Sequence, residues 1–183
     1  QSIAGDLSGT GRLTIGTSQI NTGALASIAG GCGSQASGGG AFIGGGGDHT
    51  ASGNHGTIAG GKDNTASGVC TTIGGGDTNV AGGYFSTIGG GVNNTSSGYE
   101  AIIGGGRGNT SSGCRATVAG GQANNATACL SFVGGGYGLS ATAVGAFAGG
   151  GTLNGACGIQ STVVGGLSNR TTASNAFIGG GGQ

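Results

Sequence analysis

The sequence returns to the same short pattern every fifteen residues, with no insertion or deletion, from Ile28 to Ile178. The recurring residues are Ile28, Ile43, Ile58, Ile73, Ile88, Ile103, Val118, Val133, Ala148, Val163 and Ile178. Each is followed by a small or apolar residue and then by two glycines. A unit this short cannot bury its own apolar face and must stack on its neighbours, so the period predicts a solenoid. In such a chain the chemistry resides in rows of equivalent side chains, not in one cleft. Positions within a coil are counted below from the recurring residue as position 1.

Composition narrows the reading. Of 183 residues 52 are Gly and none is Pro, which with no every-third glycine spacing argues against collagen. Charge and proline are too scarce for a disordered chain. The net charge is zero, and no basic or acidic block points to nucleic acid or a membrane surface. No apolar run approaches the roughly 18 residues that span a bilayer, so membrane insertion is not expected. The absence of an initiator Met or signal peptide is read as a processed chain or a piece of a longer one.

Each coil reads as two strands and two corners. Positions 14 to 2 form the first strand, as in Ser86-Thr87-Ile88-Gly89. Alternation puts positions 14 and 1 on a core face and positions 15 and 2 on the other. Position 15 there carries Thr, Phe or Ile, including Phe42, Ile102, Phe132, Phe147 and Phe177. Glycines at 3 and 4 make the first corner. Position 7 is Asn in seven of ten complete coils, a residue that tolerates left-handed backbone and can bond to the next coil. Positions 8 to 10, as in Thr65-Ala66-Ser67, form the second strand, and Gly at 11 opens the second corner. The expected fold is all-β, a parallel β-roll or β-helix solenoid of 15-residue coils. A flattened two-stranded roll is preferred to a three-sided helix. Residues 1–27 read as degenerate capping coils, with Ile15 starting a thirteen-residue turn, and residues 28–183 as the regular array.

One Ile buried per coil returns about 1.5–3 kcal/mol, far below the cost of ordering fifteen residues. The stripe of Phe42, Ile102, Phe132, Phe147 and Phe177 supplies further apolar area if chains pack side by side, so these residues are the expected oligomer interface. The repeat runs to the end of the sequence, which suggests that the rod continues or that subunits stack end to end.

Ser86-Thr87-Ile88-Gly89 and Asn94-Thr95-Ser96-Ser97-Gly98 resemble the head repeats of trimeric autotransporter adhesins and related repeats of phage and algal-virus fibre proteins. The similarity covers residues 15–183. The adhesin repeat typically has fourteen residues, one corner glycine fewer than here. The resemblance implies a left-handed parallel β-roll and a homotrimer. It further implies a place outside the cell or on the virion, and attachment to host or matrix surfaces. It carries over no catalytic residue.

Other motifs weigh less. Gly56-Thr57-Ile58-Ala59-Gly60-Gly61-Lys62 spells most of a phosphate loop, but Asp63 stands where Ser or Thr must hold magnesium. Asp48, Asp63 and Asp77 stack closely enough to suggest calcium, although a solvated edge explains them more simply. His49 and His55 near that edge read as surface residues. Cys114 and Cys129 share position 12 of adjacent coils, so their Cα atoms are expected about 5 Å apart, a spacing that permits a disulfide. Asn93, Asn94, Asn109, Asn125 and Asn169 begin glycosylation sequons that the repeat generates by itself. No nucleophile–base set is evident, so no enzyme and no cofactor are expected. The competing function is ice binding. Thr50 and Ser52, Thr65 and Ser67, Thr95 and Ser97, and Thr110 and Ser112 form two outward hydroxyl rows, interrupted by Val80, Asn125, Gly155 and Arg170.

Overall fold

A computed structural model describes residues 13–182. The capping turn expected before Leu13 lies outside the described residues, as does Gln183. All described strands are two residues long, because glycine corners leave room for no more. They stack into two parallel ladders. Sheet I has twelve strands, from β1 (Leu13–Thr14) to β23 (Phe177–Ile178), and is built from positions 15 and 1. Sheet II has eleven, from β2 (Ile20–Asn21) to β22 (Arg170–Thr171), and is built from positions 8 and 9. The described residues contain no helix. The parallel β-solenoid expected from the period is present.

Register follows the repeat. Ile88 pairs with Ile73 below and Ile103 above, and Ser96 pairs with Ala81 and Ser111. The first coil departs from the sequence reading: Thr14, not Ile15, lies opposite Ile28, so that coil has one residue more than expected. Ile15 is exposed. A third contact also joins the coils, a file of single parallel bridges at position 5 from Thr17 through Lys62 and Arg107 to Leu167.

The core is thin. Ile or Val at position 1 meets Ala at position 9 and small residues at position 14, a large-against-small pairing that lets the sheets approach closely. Where position 9 is serine, the buried hydroxyl is satisfied: Ser96 donates to the Ala101 carbonyl at 3.0 Å and Ser111 to that of Ala116 at 2.9 Å.

The corners are set by the stack. Position 4 runs at φ near +94°, as at Gly61 and Gly91, and a Cβ on Gly61 would lie 2.1 Å from the Gly76 carbonyl oxygen. Positions 6 and 13 are left-handed in every complete coil, whatever residue occupies them. Asp63, Asn93 and Leu153 adopt this conformation at position 6, and Phe85, Glu100 and Arg115 at position 13. Their backbone N–H groups turn back to the preceding coil, as from Asp63 to the Gly47 carbonyl and from Arg115 to that of Tyr99. These bonds hold bulky residues where they would otherwise cost about 1–2 kcal/mol each. Left-handed backbone was expected at the asparagine of position 7. It falls one residue earlier, because the asparagine side chain is needed inside.

Candidate functional site

Position 7 forms a buried column. Asn64 donates through Nδ2 to its own coil at the Gly60 carbonyl (3.1 Å) and to the next coil at the Gly76 carbonyl (2.9 Å). Its Oδ1 accepts the Asn79 backbone N–H at 2.9 Å. The same three bonds recur at Asn79, Asn94 and Asn109. Each amide thus closes a corner and clamps the next coil. Leu139 interrupts the column: its N–H donates to Asn124 Oδ1 at 2.8 Å, but its side chain can return no bond.

His49 belongs to this column and is fully buried, which corrects its reading as a surface residue. Its N–H donates to Ser34 Oγ, and its Nδ1 accepts the Asn64 N–H at 3.1 Å. Nε2 is turned toward the carbonyls of Gly45 and Gly61, the pair that an asparagine would bond, yet makes no hydrogen bond of good geometry. Burial pushes the imidazole pKa down, and the Gly45 and Gly61 carbonyls and the Asp63 and Asp48 carboxylates offset this only in part. His55, at position 13, is exposed.

The two outer faces differ in chemistry. Sheet I presents positions 15 and 2, a row of Thr, Phe and Ile beside a row dominated by Gly and Ala, with no charged residue. Of the expected interface residues, Phe42 is 41% exposed, Ile102 45%, Phe147 36% and Phe177 69%. Phe132 is half-buried because its ring stacks on that of Phe147, with centroids 5.3 Å apart and planes 4° from parallel. Sheet II presents positions 8 and 10. In the coils where both are Thr or Ser, as at Thr65 and Ser67 or Thr110 and Ser112, both side chains face outward around a buried position 9. Gly155 breaks that surface with a shallow groove of about 310 Å³, bordered by Ser140, Leu153, Cys157 and Arg170.

The remaining candidates lie at the corners. Asp48 and Asp63 occupy position 6, and Asp77 position 5. Asp63 pairs with Lys62 at 3.4 Å and Asp77 accepts from the Thr78 hydroxyl at 2.7 Å. Among the described residues no three His, Cys, Asp or Glu side chains converge as a metal site. Cys114 and Cys129 are adjacent at position 12: the N–H of Leu130, which follows Cys129, donates to the Cys114 carbonyl at 2.8 Å. Both thiols are free, as are Cys32, Cys70 and Cys157. The structure separates the sequons. Asn94 and Asn109 are buried in the column and Asn169 bonds within it, whereas Asn93 is exposed and Asn125 half-buried on sheet II.

The sequence reading missed an aromatic cluster at the second corner, where Tyr84, Phe85 and Tyr99 are each about half exposed. The signal was the occupation of positions 12 and 13 by aromatic residues in adjacent coils. No known family model matches this chain, and no curated protein matches it.

Proposed function

We propose that this chain is a non-enzymatic structural module of a fibre or adhesin. On this reading it is an extracellular or virion-surface rod that assembles as a parallel homotrimer and presents repeated side-chain rows for attachment to a host or matrix surface. The observation that supports it best is the outward row of Phe42, Ile102, Phe132, Phe147 and Phe177 on an uncharged sheet face. Exposed apolar surface of this kind marks an interaction site in a soluble protein. The glycine and alanine row beside it would let a second backbone approach closely. Sedimentation equilibrium should give about three times the chain mass of 16.6 kDa. Phe147→Ser with Phe177→Ser should shift the population toward monomer. A folded monomer at micromolar concentration overturns the assembly.

A second reading, ice binding, draws on sheet II, where hydroxyls of positions 8 and 10 face outward at a coil spacing of about 4.8 Å. Thermal hysteresis that survives Phe147→Ser but is lost on replacing Thr65 and Thr110 by bulky charged residues would favour it over attachment.

A further inference from the structure

Three of the chain's eight aromatic residues lie at one corner, in two consecutive coils. Tyr84 and Tyr99 occupy position 12, and Phe85 position 13. The stack does not require them there, because the same positions hold Gly39 and Gly40, Asn54 and His55, or Ser174 and Asn175 elsewhere. Phe85 and Tyr99 meet edge to face, with centroids 5.9 Å apart and planes at 84°. Such a pair forms a ledge with ring surface left open.

The ledge stands on a hydrogen-bonded backbone and has a polar rim. The backbone N–H groups of Phe85, Glu100 and Arg115 donate to the Val69, Tyr84 and Tyr99 carbonyls at 2.9, 2.8 and 2.7 Å. The backbone that carries the rings is therefore already ordered before a ligand arrives. Arg115 Nε donates to Glu100 Oε2 at 2.7 Å. Among the described residues the two Nη groups of Arg115 and Oε1 of Glu100 make no other hydrogen bond. The rim thus offers both donors and an acceptor, and its two charges cancel.

We propose that Tyr84, Phe85 and Tyr99, with the Glu100–Arg115 pair, form a binding subsite for a neutral saccharide unit. A sugar ring has an apolar C–H face that fits against an aromatic plate, and hydroxyls at its edge that both donate and accept. The cancelled charge disfavours an ionic ligand. Three half-exposed rings offer on the order of 300 Å², well under the roughly 800 Å² each partner contributes to a stable protein interface. The inference deepens the attachment reading above and rests on it, while being independent of whether the chain trimerises.

The chain has no Trp, and two of its three tyrosines lie in this cluster, so tyrosine emission is a built-in probe. The full chain is titrated with maltotriose, cellotriose and triacetylchitotriose, and separately with tetramethylammonium chloride. At least one saccharide should give a saturable change, and Tyr99→Ala should weaken its binding about tenfold or more. Glu100→Gln with Arg115→Gln should weaken it while leaving the aromatic ledge and the circular dichroism melt in place. The inference is overturned by no saturable response to any saccharide up to about 10 mM. It is equally overturned by a response to tetramethylammonium alone, which would identify a cation site. Failure here with a trimer by sedimentation sinks the sugar subsite but leaves the assembly standing.

Discussion

Adjacent glycines in this protein answer to different constraints. Gly106 has φ +95°, and a Cβ there would lie 2.1 Å from the Gly121 carbonyl oxygen. At Gly105 the nearest atom to a built Cβ is the Gly90 carbonyl oxygen at 3.9 Å, and φ is not left-handed. Gly106→Ala should therefore cost about 2–4 kcal/mol from backbone strain and overpacking combined. Gly105→Ala should be neutral or stabilise by up to about 1 kcal/mol, because it narrows the unfolded ensemble. Urea unfolding of the two variants checks the contrast, and equal losses would show that the corner tolerates neither. In the sequence both glycines look equally fixed. What separates them is a distance to the next coil, which a one-dimensional pattern does not contain. The left-handed residues at position 13 were hidden for the same reason: Phe85, Glu100 and Arg115 share no residue type, and the hydrogen bond to the preceding coil imposes their conformation.

At the scale of the ladder, the column at position 7 shows why the recurring asparagine could be found but its partner histidine could not. Asn64 and Asn109 announce themselves by repetition, whereas His49 occurs once and looks like any polar residue beside Asp48. Only stacking places it inside. Its buried position has a consequence for pH. An unfolded histidine takes up a proton near pH 6.5, while in the folded chain burial holds the pKa lower and Nδ1 is occupied as an acceptor. As pH falls below about 6.5 the unfolded state therefore binds a proton that the folded state refuses, and stability declines until the lowered pKa is passed. Melting temperature should fall between pH 7.5 and pH 5, and His49→Asn, which restores the amide, should flatten that part of the dependence. An unchanged pH profile in the variant would place the proton uptake elsewhere. The two outward rows were legible as rows, since period and alternation define them. The Tyr84–Phe85–Tyr99 ledge was not, because aromatic residues hold positions 12 and 13 in two coils only and so form no row in the repeat.

The described residues form a rod with two unlike sides. Sheet I is apolar and uncharged on its outer face, sheet II is rich in hydroxyls, and all but one of the described charged side chains, Arg170, stand at corner positions. The period alone predicted the solenoid, because a fifteen-residue unit with one large apolar residue has no other way to be buried. It did not reveal the bridge file at position 5, where Lys62, Val92, Tyr137 and Leu167 share no chemistry. Since each coil touches only its neighbours, stability should grow by nearly equal steps with coil number. A variant carrying residues 88–102 twice in tandem should fold, keep its register and melt at a temperature no lower than the parent. A lower melting point would mean that coils are not interchangeable and that stability depends on contacts beyond the nearest neighbour.

The unbroken register also bears on how such a gene can change. Equal-length repeats invite slippage and unequal crossing-over, events that ruin most folds by shifting everything downstream. Here an exchange between equivalent codons keeps the fifteen-residue register of the ladders and adds or removes complete rungs of roughly 4.8 Å. Rod length becomes a trait that can be adjusted by recombination alone, in whole steps.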